Sequence, residues 1–412
     1  MKTLAVAAIF GLAFVFITPP FEVPDETAHY WRACAIAHGV FQPAPQFGQG
    51  YTAIPSGERE LGIRGAAPVR ETRARIREDW ELQYVSERVI VRYPLSLSPL
   101  PFVPQAIGIA IGDALHLRPL IAFYLGRLLN LAASLALVLL AMQLHRDARW
   151  ILCVCAMLPM TLFMFASFSP DAMTIGVTFV AIALALSGSP WIVAATIALA
   201  LCKPYLLVPL LVLAQWRTGT LACPPLVVVA VAAGGYLSSL FAKTSATFMR
   251  PEVDPHAQIE LIKHHPLHAA GIVAADLAQH AVAYGEQMIG TLGWLTIPLP
   301  SAVIIALVAL LVLVALMAGP RLTAMQRLLA AIIAIASIVT VELSEYISWT
   351  AVGANMIEGV QGRYFIPIAP LLLVAISRPA VPPRWIPIVI ASVMTIANGA
   401  AIFAMWQHYF RF

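Results

Sequence analysis

The chain has 412 residues, of which 60% are hydrophobic and only 11% charged. A soluble domain carries about 25% charged residues, so this deficit, with a mean hydropathy of +0.83, excludes a soluble globular enzyme and points to a polytopic membrane protein. The net charge of +4 carries no nucleic-acid signature; several of its arginines sit in short loops, where they report topology.

A membrane span needs about 20 apolar residues, within a range of roughly 17–25. Residues 2–18 form the first candidate. The run ends in bulky Phe and Ile without a small-x-small cleavage site, so it reads as an uncleaved span and not as a secretory signal. Directly after it comes "VPDETAHYW". Pro24 suits the first turn of a helix, and Asp25 and Glu26 then sit at its positive end. His29 lies four residues from Asp25 and three from Glu26, on the same helix face.

A long outer segment, 19–119, follows, with an arginine-rich stretch at 57–92 whose balanced charges read as a solvated face. Within it, 99–112 is apolar but short and proline-rich. If it does not span and the N-terminus is cytoplasmic, the inner loops carry Arg146 and Arg149, Arg217, Arg321 and Arg327, and Arg378 and Arg384. If it spans, all of these face outward. The positive-inside rule favours the first arrangement, which makes 99–112 a surface segment.

Further spans are expected at 120–143, 150–167, 171–187, 222–242, 300–318, 327–344, 362–377 and 385–405. The stretch 190–216, broken by "CKP" at 202–204, reads as two short helices, for about eleven spans in one integral-membrane domain. A second outer segment, 243–299, is expected to form interfacial amphipathic helices, and a third covers 344–362. Cys34, Cys153, Cys155, Cys202 and Cys223 show no metal or disulfide spacing. His264, His265 and His268 are too loosely spaced for a metal site.

This topology gathers nearly all the ionisable residues of the spans at one face: Asp25, Glu26, Arg127, Asp171, Lys203, Glu342, Glu345, Glu358 and Arg363. Such residues are costly in a membrane and are functional candidates by default. A carboxylate among Asp25, Glu26 and Asp171 suits either a general base on a hydroxyl or, as Asp25 with Asp171, a divalent-cation site. Lys203, Arg127 and Arg363 suit either buried carboxylates or a phosphate. His29 reads as an orienting residue.

Taken together, "PPFEVPDETAHYWRA", "YPLSLSPLPFVPQAIGIAIG" with "YLGRLLNL", "LPMTLFMFASFSPDA", "ALCKPYLLVPLL", "GTLGWLTIPLP" and "EGVQGRYFIPIAPLLL" resemble the bacterial membrane proteins grouped as domain of unknown function 2142. That family is similar in layout to the GT-C superfamily of integral-membrane glycosyltransferases. The resemblance implies an all-α polytopic GT-C-like bundle with surface helices in the long first outer loop. It also implies a bacterial plasma-membrane enzyme with its active site on the extracytoplasmic face. That enzyme would move a sugar, with inversion, from a polyprenyl-phosphate donor to a cell-envelope glycan or glycolipid.

In that scheme Asp25 or Glu26 matches the first-loop acid and Asp171 the second. Lys203, Arg363 and Arg127 would meet the donor phosphate, and His29, Tyr364, Gln361 and Glu358 would hold sugar or acceptor. Some superfamily members hold a metal between the acids and others need none, so a divalent cation stays open, as does the choice between Asp25 and Glu26. The contrasting expectation, a transporter or flippase of lipid-linked saccharides, would place ionisable residues at mid-membrane and show inverted repeats; no repeat is visible.

Overall fold

In a computed structural model, the structure describes residues 2–41, 51–66, 72–92, 98–203, 205, 207–213, 224–242 and 250–411. Cys223, Arg217 and the proline of the "CKP" break lie outside the described residues. Helix α1 (Lys2–Ile17) is apolar from Leu4 onward. It stops before Pro19 and Pro20, which have no N–H to continue the ladder. A non-helical turn leads to α2 (Glu26–Ala37).

Residues 51–114 then build β1 (Tyr51–Pro55), α3 (Ser56–Ala66), α4 (Thr72–Glu81), β2 (Arg88–Arg92), a 3-10 turn (Leu100–Phe102) and α5 (Val103–Ala114). The strands pair antiparallel, from Tyr51 opposite Arg92 to Pro55 opposite Arg88. This sheet is a correction to the all-α expectation. Ile54 and Val91 turn inward while Ile90 stays half-exposed, the alternation of a half-buried strand.

This segment has its own core, in which Phe21, Tyr30, Leu61, Phe102 and Phe123 pack with Phe168. The 57–92 stretch is therefore not simply a solvated face: Glu58, Arg75 and Asp79 are buried. Along α5, Val103, Ile107, Ile111 and Leu115 form an exposed apolar stripe, while the opposite face lies against a long neighbouring helix. A Cβ on Gly108 would come within 2.4 Å of Gly126 N, so glycine at both positions permits that close approach.

The helical bundle that follows comprises α6 (Pro119–Leu144), α7 (Arg149–Ala156), α8 (Pro159–Phe165), α9 (Asp171–Leu186), α10 (Ile192–Cys202), a 3-10 turn (Val208–Leu211) and α11 (Pro224–Ala242). Next come α12 (Pro255–His264), α13 (Pro266–Gly290) and a small hairpin, β3 (Thr291–Leu292) with β4 (Ile297–Pro298). It is followed by α14 (Ser301–Met317), α15 (Ala324–Ser348), a 3-10 turn (Gly362–Phe365), α16 (Ala369–Ile376) and α17 (Ile386–Phe410).

Among the described residues, three helices, α6, α15 and α17, are long and apolar enough to cross a membrane by length and composition. Two expected spans are interrupted. Residues 150–167 break between α7 and α8, where Leu158 takes an extended ψ of 141° ahead of Pro159. Residues 362–377 resolve into the 3-10 turn and α16, with Pro367 between them. One apolar core joins α1, α6 through α10 and α14 through α17.

The arginine-bearing loops meet at one end of this bundle. Arg146, Arg149 and Arg321 line a cavity of about 200 Å³ with Trp150, Gly319 and Val381. Arg378 N–H donates to Ala315 O, and Arg327 donates to Ser377 O. Arg127 lies near the opposite end of α6, about 25 Å of helix rise from Leu144.

Candidate functional site

Residues 18–25 connect α1 to α2 without regular structure, and their carbonyls need donors from elsewhere. Distant side chains supply them. Arg127 donates to Val15 O, Thr18 O and Pro19 O. Arg75 takes Pro20 O, the Trp294 indole takes Phe21 O, and Arg363 takes Pro24 O. The turn that carries Asp25 is thus set by residues from α4, α6, the hairpin after α13 and the 362–365 turn.

Asp25 itself adopts a left-handed conformation, with φ of 63°. Its side chain is 52% exposed, and Arg363 Nη2 donates to Oδ2 at 2.9 Å. Non-glycine residues held in this region concentrate at functional sites. Arg363 Nε lies 3.4 Å from Asp171 Oδ2. Lys203 Nζ in turn donates to Asp171 Oδ1 at 2.5 Å. Asp25, Arg363, Asp171 and Lys203 thereby form one continuous chain of alternating charge, exposed at the Asp25 end. Asp171 stands at the start of α9, where the helix's positive end favours a carboxylate.

Tyr364 backs both cations, its ring 4.5 Å from Lys203 Nζ and 5.3 Å from the Arg363 guanidinium carbon. The Tyr205 hydroxyl donates to Tyr364 O at 2.6 Å. Lys203, Tyr205 and Tyr364 line a cavity of about 200 Å³ with Thr340, Ser344 and Glu345 of α15. The roles of Tyr205 and Ser344 here were not legible beforehand: neither is ionised at neutral pH, and only the fold brings them beside Lys203.

The structure separates other expected site residues from this cluster. Glu26 is fully buried and accepts from Arg127 Nε and Nη2 at 3.0 and 2.6 Å, and from the N–H groups of Phe21 and Phe168. Arg127 is equally buried, and all five of its donors are engaged by Glu26 and the three carbonyls named above. Neither has a free atom for substrate, which corrects the grouping of Glu26 with the bases and of Arg127 with the phosphate ligands. Glu358 pairs with Arg250 at 2.5 Å and is half-exposed, outside the charge chain. Gln361 precedes the 362–365 turn with its buried Oε1 unpartnered. Between Asp25 and Asp171, the pair expected to share a divalent cation, stands the Arg363 guanidinium.

His29 lies inside this cluster, with Asp25, Asp171, Arg363 and Lys203 as its charged neighbours. Its Nδ1 is buried without a partner. Burial pulls its pKa from 6.5 down to about 4, a fall that Asp25 partly offsets and Arg363 reinforces. The imidazole is therefore neutral at neutral pH. A folded-state pKa below the unfolded one gives stability that is complete above 6.5 and lost as pH falls toward 4. Over that window the loss should reach roughly 3 kcal/mol. Melting temperature measured against pH should fall less steeply in His29→Gln than in the parent; identical slopes would exclude His29 as the group responsible.

No curated protein and no solved structure matches the chain. The model of the family described as "Predicted membrane protein (DUF2142)" matches residues 8–372, a stretch that includes α2, Asp171, Lys203 and the 362–365 turn, and the chain belongs to that family.

Proposed function

We propose that this protein is a polyprenyl-phosphate-dependent glycosyltransferase of GT-C type, working on the extracytoplasmic face of a bacterial plasma membrane. Of the finer parts of this reading, a bundle of about eleven crossings rests on the lengths of the apolar runs, and a glycan or glycolipid acceptor rests on the resemblance in layout. The observation that carries the chemistry is the charge chain: an exposed carboxylate, Asp25, at one end, and at the other a lysine, Lys203, facing a cavity beside α15.

Asp25 takes the proton from an acceptor hydroxyl, and the hydroxyl oxygen attacks the anomeric carbon. The bond between that carbon and the phosphate oxygen breaks with inversion, and polyprenyl phosphate leaves with its bonding pair. Lys203, aimed at the cavity before reaction, stabilises the charge gathering on that phosphate. Arg363 positions Asp25 and joins it to Asp171. Neutral His29 and Tyr364 contact the sugar or the acceptor. A carboxylate at one end and a cation at the other match proton removal and phosphate departure better than they match passage of a saccharide through the membrane centre, the arrangement a flippase requires.

Binding of a short-chain polyprenyl monophosphate to the purified full chain tests the donor half. Saturable binding is expected, with the matching polyprenol unable to compete and Lys203→Ala weakening it roughly tenfold or more. Equal competition by the polyprenol, or unchanged binding by Lys203→Ala, would remove the phosphate role.

A further inference from the structure

Three side chains from three elements of the first outer segment converge away from the Asp25 cluster. His38 closes the C-terminal end of α2, Glu58 lies in the first turn of α3, and Asp113 lies in the last turn of α5. His38 Nε2 is 3.4 Å from Glu58 Oε1 and 3.2 Å from Asp113 Oδ2. One ligand atom from each of the three lies within 4.8 Å of the others.

A purely hydrogen-bonded triad does not account for this geometry. An imidazole Nε2 carries at most one hydrogen and cannot serve both carboxylates. Glu58 is only 2% exposed, yet its Oε2 makes no hydrogen bond, and neither does Asp113 Oδ2. Two carboxylates brought together in a largely buried place, with one imidazole hydrogen to share between them, are strongly disfavoured. The Cys34 thiol, hydrogen-bonded to Glu58, and the Tyr30 hydroxyl, bonded in turn to that thiol, add further polar atoms to the same buried region.

A divalent cation resolves the arrangement. Tetrahedral bonds to zinc of about 2.0–2.2 Å hold neighbouring ligand atoms about 3.3–3.6 Å apart, and the two imidazole–carboxylate separations are 3.4 and 3.2 Å. An imidazole with two carboxylates suits zinc or manganese, whereas magnesium and calcium favour all-oxygen sites. The His38 and Asp113 side chains are each 13% exposed, which leaves a route for the ion and for water as a further ligand.

We propose that His38, Glu58 and Asp113 form a structural site for a borderline divalent metal, zinc above all, that clamps α2, α3 and α5 together. The same α2 carries His29 and follows Asp25, so the clamp would fix the far end of the helix that presents them. Metal content, not activity, is the readout. The purified full chain, stripped with chelator and then given zinc, should retain one zinc per chain through desalting and melt at a higher temperature. Magnesium should not substitute. Glu58→Gln and Asp113→Asn should each weaken zinc retention roughly tenfold or more. If the stripped parent protein takes up no zinc or manganese saturably, the proposal fails whatever the variants do; zinc retention unchanged in both variants would also overturn it.

Discussion

Asp25→Asn should reduce sugar transfer by roughly 10²–10⁴-fold, the usual contribution of a positioned base, while the protein is made and inserted at parental levels. Two features separate this variant from a merely damaging one. The Asp25 side chain is 52% exposed, so the amide carries no burial penalty. Its backbone sits at φ 63°, a region that asparagine tolerates better than most residues. The amide oxygen can still accept from Arg363, so the charge chain keeps its shape and loses only the proton acceptor. Asp25→Ala is a poorer probe, since it adds backbone strain of about 1 kcal/mol. Transfer to the surface glycan, normalised to inserted protein, is the measurement. Parental transfer by Asp25→Asn would end the assignment of Asp25 as base.

Much of this was readable in the sequence because membranes make ionisable residues conspicuous. A hydropathy break followed by "VPDETAH" announces a helix with acids at its positive end, and the arginine-bearing loops fix which ends of the spans lie together. That logic brought Asp25, Asp171, Lys203 and Arg363 into one group, and in the structure they form one chain of contacts. Burial within the group was not readable. Glu26 and Asp25 are neighbours with the same chemistry, yet one carboxylate is sealed and the other half-exposed. The difference depends on which way one helix turn faces, and Arg127, 101 positions away, settles it. His38, Glu58 and Asp113 escaped notice for a related reason. Their separations match no local ligand pattern, and a charged stretch in an outer loop resembles solvated surface until a hydrophobic core is seen beneath it. The interruption at Pro159 was legible as a proline but not as a break, because neighbouring helices allow prolines within membrane helices.

The sealed pair should dominate stability. Removing one partner of a buried ion pair typically costs about 3–5 kcal/mol, because the other charge is left uncompensated. Arg127→Met should cost more than Glu26→Gln. It strands the Glu26 carboxylate and also frees the carbonyls of Val15, Thr18 and Pro19. Glu26→Gln keeps an oxygen that can still accept from the N–H of Phe21 or Phe168. Combining the two changes should recover part of the Arg127→Met loss, since no charge then remains buried, and a double-mutant cycle on melting temperature would read that coupling. Recovery should nevertheless stop well short of the parent. Many buried ion pairs can be exchanged for apolar side chains with little loss, but this one also satisfies the backbone of the turn that presents Asp25, and apolar side chains cannot. Full recovery in the double variant would mean that the turn finds other donors, and that the pair is not what holds Asp25 in place.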